Sequence, residues 1–209
     1  MSRALAAWFL IAAATASPAT APRDVVQSAV VRVVAVLEDP SLNRTETTHA
    51  ARPNNDRARS EIRRVANDLF DFQEMARRAL SRHWATRTPA EQAEFVKLFT
   101  ELLERSYVGK IEAYSGEKIV YLGETVDGSY ATVKSRILTK RRTDVTLDYR
   151  LHLIKDRWKV YDVLIDGVSA VNTYRSEFNR VIQSASYDEL MDRLRKKTLE
   201  IRTAGEQRS

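Results

Sequence analysis

Between Val145 and Val168 the chain reads VTLDYRLHLIKDRWKVYDVLIDGV, two strand-like runs joined by the polar turn Lys155-Asp156-Arg157. Val145, Leu147, Tyr149, Leu151 and Leu153 alternate with Thr146, Asp148, Arg150 and His152, the period of a strand with one buried face. The run from Trp158 to Ile165 breaks that rule. Val160 and Leu164 fall on one face and Tyr161, Val163 and Ile165 on the other, which predicts a strand covered on both sides or lining a cavity. The same period of two recurs over Glu117 to Gly123 and Tyr130 to Thr139. Val126-Asp127-Gly128-Ser129 and Lys140-Arg141-Arg142-Thr143 read as the remaining turns, and connections this short predict a four-stranded antiparallel meander.

Elsewhere the pattern is helical. Val26, Val30, Val33 and Leu37 share one face behind Asp24 as N-cap, predicting a helix from Asp24 to Glu38 that Asp39-Pro40 stops. Ser41 to Arg59 is polar, contains Pro53-Asn54-Asn55 and reads mostly as a loop or a frayed linker. From Ser60 the helical period returns through Ile62, Val65 and Leu69. Phe70-Asp71-Phe72 follows, with Asp71 as the cap of a short helix to Leu80. Thr88-Pro89-Ala90-Glu91 has the form of a capping box with proline at the first helical position. The stripe Phe95, Leu98, Phe99, Leu102, Leu103 and Tyr107 then runs toward Gly109. After Asp166-Gly167, read as the turn into the next helix, Val171, Tyr174, Phe178 and Val181 share a face, followed by Leu190, Met191 and Leu194. The arrangement is α+β: a curved meander wrapped by N- and C-terminal helices on one side, around an apolar pocket.

The N-terminus stands apart. Arg3 precedes the apolar run Ala4 to Ala14 and then small residues, the pattern of a secretory signal peptide over residues 1–21, cleaved after Ala16 or after Ala21. That run is too short to cross the ~30 Å hydrocarbon core of a bilayer. Residues 22–202 then form a single domain and residues 203–209 a loose polar tail. Among 209 residues, 44% are hydrophobic, 30% charged and none is cysteine, so disulfides and thiolate metal sites are excluded. The net charge of +6 favours anionic partners such as lipid headgroups, while export argues against nucleic acid.

Candidate chemistry is sparse. His49, His83 and His152 are far apart in sequence, and no metal site is expected. Asp71, Asp148, Asp162 and Asp166 are the carboxylates an exported enzyme would draw on for proton transfer, but no phosphate-cradling glycine loop or serine-nucleophile motif accompanies them. A twisted meander wrapped by helices can leave its concave side unfilled, and an apolar lining there suits an apolar ligand. A third reading is an adaptor with a solid interior.

Three stretches carry a resemblance: FDFQEMARRALSRHW (Phe70 to Trp84), TPAEQAEFVKLFTELLERSYVGKIEAYSGEKIVYLGE (Thr88 to Glu124) and DYRLHLIKDRWKVYDVLIDGVSAVNTYRSEFNRVI (Asp148 to Ile182). In this order they resemble the MlaC-type periplasmic phospholipid carriers, the toluene-tolerance auxiliary family. The resemblance implies a soluble, non-enzymatic shuttle with no cofactor beyond its phospholipid cargo, and a monomer is the default expectation. Its implied partners are an outer-membrane lipoprotein-porin complex and an inner-membrane ABC transporter with its lipid-binding subunit, and its implied role is to keep the outer leaflet asymmetric. It also implies a deep acyl-chain pocket. Candidate lining residues are Phe95, Leu98, Phe99, Leu102 and Tyr107 from the helices, and Val133, Ile137, Leu147, Tyr149, Leu151, Val160 and Val163 from the sheet. Val168 and Tyr174 stand near the closing helix. Lys110, Lys118 and the backbone N–H groups at the Val168 helix start are candidates for the headgroup.

Overall fold

A computed structural model describes residues 20–43, 52–139 and 144–207. The expected signal segment through residue 19 and the Lys140–Thr143 turn lie outside the described residues. The chain runs α1 (Pro22–Glu38), α2 (Pro40–Asn43), α3 (Arg52–Leu69), α4 (Phe72–Leu80), a 3₁₀ turn (Ser81–His83) and α5 (Pro89–Glu112). Then come β1 (Lys118–Asp127), β2 (Tyr130–Leu138), β3 (Val145–Ile154), β4 (Arg157–Ile165), β5 (Val168–Ser169), α6 (Ala170–Ser184) and α7 (Tyr187–Gln207). The strands form one antiparallel sheet in sequence order.

The sheet has five strands rather than the expected four. Asp166 and Gly167 both take positive φ, 49° and 81°, and pair Ile165 with Val168 across a two-residue turn. Thus Val168 belongs to a short strand, and the following helix starts only at Ala170. Lys155 and Asp156 make the equivalent turn between β3 and β4 with φ of 47° and 60°.

Several boundaries differ from the sequence expectation. Pro22 starts α1, with Ala21 as its N-cap, so Asp24 lies inside the first turn, where its charge still favours the helix N-terminus. Much of the segment read as a loop is helix: α2 occupies Pro40–Asn43, and α3 begins at Arg52, with Pro53 tolerated in its first turn. Ala58, Ile62, Val65 and Leu69 form its buried stripe. A lone alanine among charged residues extends that stripe too faintly to be read. α5 passes through Gly109 to Glu112, and α7 continues to Gln207, into the segment expected to be a loose tail.

The Thr88 capping box forms as expected: the Glu91 N–H donates to Thr88 Oγ1 at 3.3 Å, and the Thr88 N–H donates to Glu91 Oε2 at 2.7 Å. Asp71 caps α4 by accepting from the Glu74 N–H at 2.9 Å. Its other oxygen meets His152 Nε2 at 3.1 Å, and its N–H donates to the Val160 carbonyl at 2.8 Å. Phe70 bridges to Val160, so the chain crosses the edge of β4 at this point.

Two hydrophobic cores meet there. One lies among helices α4 to α7 and centres on Phe95, Phe99, Phe178, Leu80 and Met191, with Tyr174 5.2 Å from Phe99 in an edge-to-face ring pair. The other lies between α1, α3 and the sheet and joins Val26, Val65 and Leu69 to Val133, Leu151 and Val160. Phe70 packs against both. Helices are therefore not confined to one side of the sheet: Asp162 pairs in register with Arg150, on the face opposite Tyr149, and it is there that α6 begins.

Tyr187, at the start of α7, is buried with its hydroxyl donating to the Glu91 carbonyl at 3.3 Å and Arg87 stacked 4.5 Å from its ring. Burial, aided by the Glu91 carboxylate, pushes its pKa up to about 12. The neutral phenol is thus favoured in the folded state. Its contribution is complete below the ordinary tyrosine value near ~10 and is lost as pH rises toward about 12. Urea unfolding between those limits should show stability falling with pH, and Tyr187→Phe should make that fall shallower. An unchanged slope in the variant would remove Tyr187 from the effect.

Candidate binding site

The inner face of the sheet, turned toward α1 and α3, is closed at one end and half-covered at the other. Register aligns Ala131 with Leu151, Val133 with Tyr149 and Leu151 with Val160, all buried. Further along the same face come Ile119 opposite Ile137, Ile137 opposite Val145, and Leu147 opposite Ile165, with Val163 opposite Tyr149. Each of these newly named side chains is only half-buried. Beside this end runs a groove of about 330 Å³ between α1 and β1, lined by Val30, Val31, Val34 and Ala35 on one side and Tyr114, Ile119 and Tyr121 on the other. Gln27, Glu38 and Glu117 complete its wall.

The break in alternation along β4 has a specific cause. A register shift falls between Arg150 and Leu151, so Leu151 pairs with Val160, Arg150 with Asp162 and Tyr149 with Val163, leaving Tyr161 as an extra residue. This bulge restores Val163 and Ile165 to the face that holds Val160. Opposite faces for Val160 and Val163, as simple alternation requires, are therefore corrected. The strand does not bury two apolar faces.

A polar island lies beneath the sealed part of this face. The Ser135 hydroxyl donates to the Leu147 carbonyl at 3.1 Å and hydrogen-bonds the Tyr149 side chain, whose burial raises its pKa well above the usual tyrosine range. Burial also raises the pKa of Tyr121, against the opposing charge of Arg23. The Tyr121 hydroxyl, on the groove wall, has no protein partner among the described residues.

The fourteen expected lining residues do not share one cavity. Phe95, Leu98, Phe99 and Leu102 are buried in the helical core, and Tyr107 and Tyr174 pack against it, away from the sheet's inner face. The Tyr174 hydroxyl donates to Ser106 Oγ at 3.3 Å. Val133, Tyr149, Leu151 and Val160 lie under α1 and α3, whereas Ile137, Leu147 and Val163 stand on the half-covered end. Val168 is 63% exposed on the edge strand. None of the fourteen lines the groove. The α1 positions that do were legible in one respect: AVVRVVAVL is apolar on more than the single stripe a surface helix needs.

The headgroup candidates also fall apart. Lys110 and Lys118 are exposed, with Lys110 placed 5.3 Å from the Tyr107 ring. At the start of α6 two backbone donors are already used, the Val171 N–H by Asp162 Oδ1 at 3.1 Å and the Asn172 N–H by Ser169 Oγ at 3.0 Å. Ser169 Oγ donates in turn to Asp162 Oδ2 at 2.7 Å, and Arg150 approaches that oxygen at 3.5 Å. Asp166 is likewise spoken for, accepting from the Thr146 N–H at 2.8 Å. Asp71 and Asp162 thus each serve as helix anchors. Among the described residues there is no grouping of three or more metal-ligating His, Asp or Glu side chains, and no helix is long and apolar enough to cross a membrane.

An antiparallel sheet, two helices over one face and an apolar recess left at one end define a small α+β fold. The family model described as MlaC protein matches residues 32–196, and the chain belongs to that family. Among solved structures, the phospholipid-binding protein from Ralstonia solanacearum, determined in complex with a phospholipid, has the same fold. Its TM-score is 0.75 at 24% sequence identity, over 87% of this chain and 99% of that one.

The Asp162 anchor yields a graded test. Asp162→Ala leaves the Val171 N–H and the Ser169 hydroxyl without their acceptor in a buried setting, at about 1–3 kcal/mol for each orphaned group. Asp162→Asn should cost less, because an amide still accepts from Val171 while donating to Ser169. Urea denaturation reads both values, and equal, negligible losses would show that the carboxylate does not hold α6 to β4.

Proposed function

We propose that this protein binds a phospholipid and carries it through water, with acyl chain against the half-covered sheet end and the groove beside α1, and phosphate at the mouth. The observation that carries this reading is the uneven cover of one apolar face: sealed over Val133, Leu151 and Val160, left half-open over Ile119, Ile137, Leu147, Val163 and Ile165. Apolar surface held in this way gains from a partner that removes it from water. Each buried methylene is worth ~0.8 kcal/mol, so an acyl chain of about fifteen carbons gains on the order of 10 kcal/mol. The groove, at about 330 Å³, is near the lower end of the ~300–1,000 Å³ of ligand pockets. It therefore accommodates a tail only together with the adjoining sheet end. An unpaired phosphate would be costly to bury, which keeps the headgroup at solvent.

Family membership and the phospholipid held by the Ralstonia solanacearum protein on the same fold support this reading. Turnover chemistry is no part of the proposal. We further assign the protein to the periplasm, on the strength of Arg3 and the apolar run that follows it, as a shuttle between an outer-membrane lipoprotein-porin complex and an inner-membrane ABC transporter. These two partners rest on the family resemblance alone.

Solvent extraction of gently purified protein followed by mass spectrometry should recover close to one phospholipid per chain. Ala35→Trp, at an exposed helix position on the groove wall, should lower that recovery severalfold while leaving the thermal midpoint unchanged. Protein that is folded and empty of lipid would end the reading, and full occupancy in the tryptophan variant would move the tail out of the α1 groove.

A further inference from the structure

Where α4 ends and α6 passes it, a second pocket of about 240 Å³ is lined by Ser81, Arg82, Arg175, Ser176 and Asn179. It shares no residue with the groove beside α1. No carboxylate lines it. Asn179 Oδ1 accepts from Arg82 Nη2 at 2.7 Å and faces His83 Nε2 at 3.1 Å, which fixes the Arg82 guanidinium across the gap between the two helices. The Arg175 guanidinium has no ion-pair or hydrogen-bond partner among the described residues. The nearest acidic side chain of α4, Glu74, is already engaged by Arg77 and Arg78 at 2.6 and 2.7 Å.

Ser81 adds a second kind of observation. Its φ of 51° with ψ of −126° is a conformation that glycine adopts far more easily. A serine there keeps a hydroxyl on the pocket wall at the expense of backbone strain. With Ser176, the pocket holds two hydroxyl groups and two guanidiniums, the donor set that matches a tetrahedral oxyanion. The C-terminus of α4 opposes an anion with about half an elementary charge, which two full guanidinium charges outweigh.

We propose that this pocket is a phosphate-binding site, separate from the apolar groove and independent of the lipid reading. Arg82 and Arg175 supply charge, Arg175 also its paired N–H donors and Arg82 its Nη1 donors beside the Nη2 held by Asn179, and Ser81 and Ser176 supply hydroxyls. The phosphate belongs either to the free ion or to a lipid headgroup presented by a membrane.

Titration calorimetry of the full chain with inorganic phosphate, at ionic strength matched by sodium chloride, tests the site directly. Saturable binding is expected, weakened at least about tenfold in the double variant Arg82→Gln/Arg175→Gln, as the loss of charge-assisted hydrogen bonds requires. Arg175→Gln alone, which breaks no hydrogen bond or ion pair among the described residues, should weaken it in the same direction without changing the circular dichroism or thermal midpoint. Binding no stronger than that of chloride, or equal binding by wild type and the Arg175 variant, would overturn the proposal. Sedimentation with phosphatidylglycerol vesicles that inorganic phosphate reverses assigns the site to a headgroup; saturable phosphate binding without sedimentation assigns it to the free ion.

Discussion

One extra residue in β4 organises this molecule. Because Tyr161 is unpaired, the strand changes phase between Val160 and Asp162. Without that shift, Asp162 would point toward α1 and α3, and Val163 and Ile165 would point away from them. With it, the carboxylate reaches the face where α6 begins and takes both the Ser169 hydroxyl and the Val171 N–H. The apolar side chains join Val160 on the inner face. A single bulge therefore sets both the docking of the C-terminal helices and the composition of the recess. Neither could be altered by a register slip without exposing the other.

The same bulge explains where sequence reading worked and where it stopped. Elements defined by local chemistry were legible: the Thr88 and Asp71 caps, the strand period of β3 and the stripe of α5 all depend on residues within one turn or one strand. The faces of β4 were not, because alternation carries no mark of a residue left unpaired by its neighbour. The short strand β5 was hidden for a related reason. Asp166-Gly167 is equally good as a hairpin turn and as the approach to a helix, and only pairing with β4 decides. In α3, a stripe of one alanine and three larger residues was masked by the arginines around it.

The sequence suggested an apolar lining for the candidate site but not where such a lining would stand. Apolar excess, the N-terminal run expected to direct export and the resemblance together pointed to a greasy recess, but they assigned it the apolar stripe of α5. That stripe went to the helical core. Phe95 and Phe99 are closed by Phe178, Leu80 and Met191, side chains far away in sequence whose contact no local pattern encodes. The recess fell instead to α1, whose second apolar face looked redundant beside its core-facing stripe. Val31, 60% exposed there, is the kind of residue that composition counts as hydrophobic and that only the fold places at a surface.

That division of labour has a physical logic. A surface that must open to take up an apolar chain, and be left without it afterwards, cannot also be the surface on which the fold's stability rests. Emptying it would then unfold the protein. Here the helical core lies apart from the recess, and the sheet end sealed by Val26, Val65 and Leu69 touches the recess only through half-buried side chains such as Val30, Tyr121, Leu147 and Val163. The half-covered Ile137 and Leu147 lie on β2 and β3, strands that are paired on both sides within the sheet. Their exposure therefore costs hydrophobic free energy without leaving unpaired backbone groups. Such a surface can change its cover while the sheet beneath it keeps its register, which the proposed lipid-binding recess needs and a packed core does not provide.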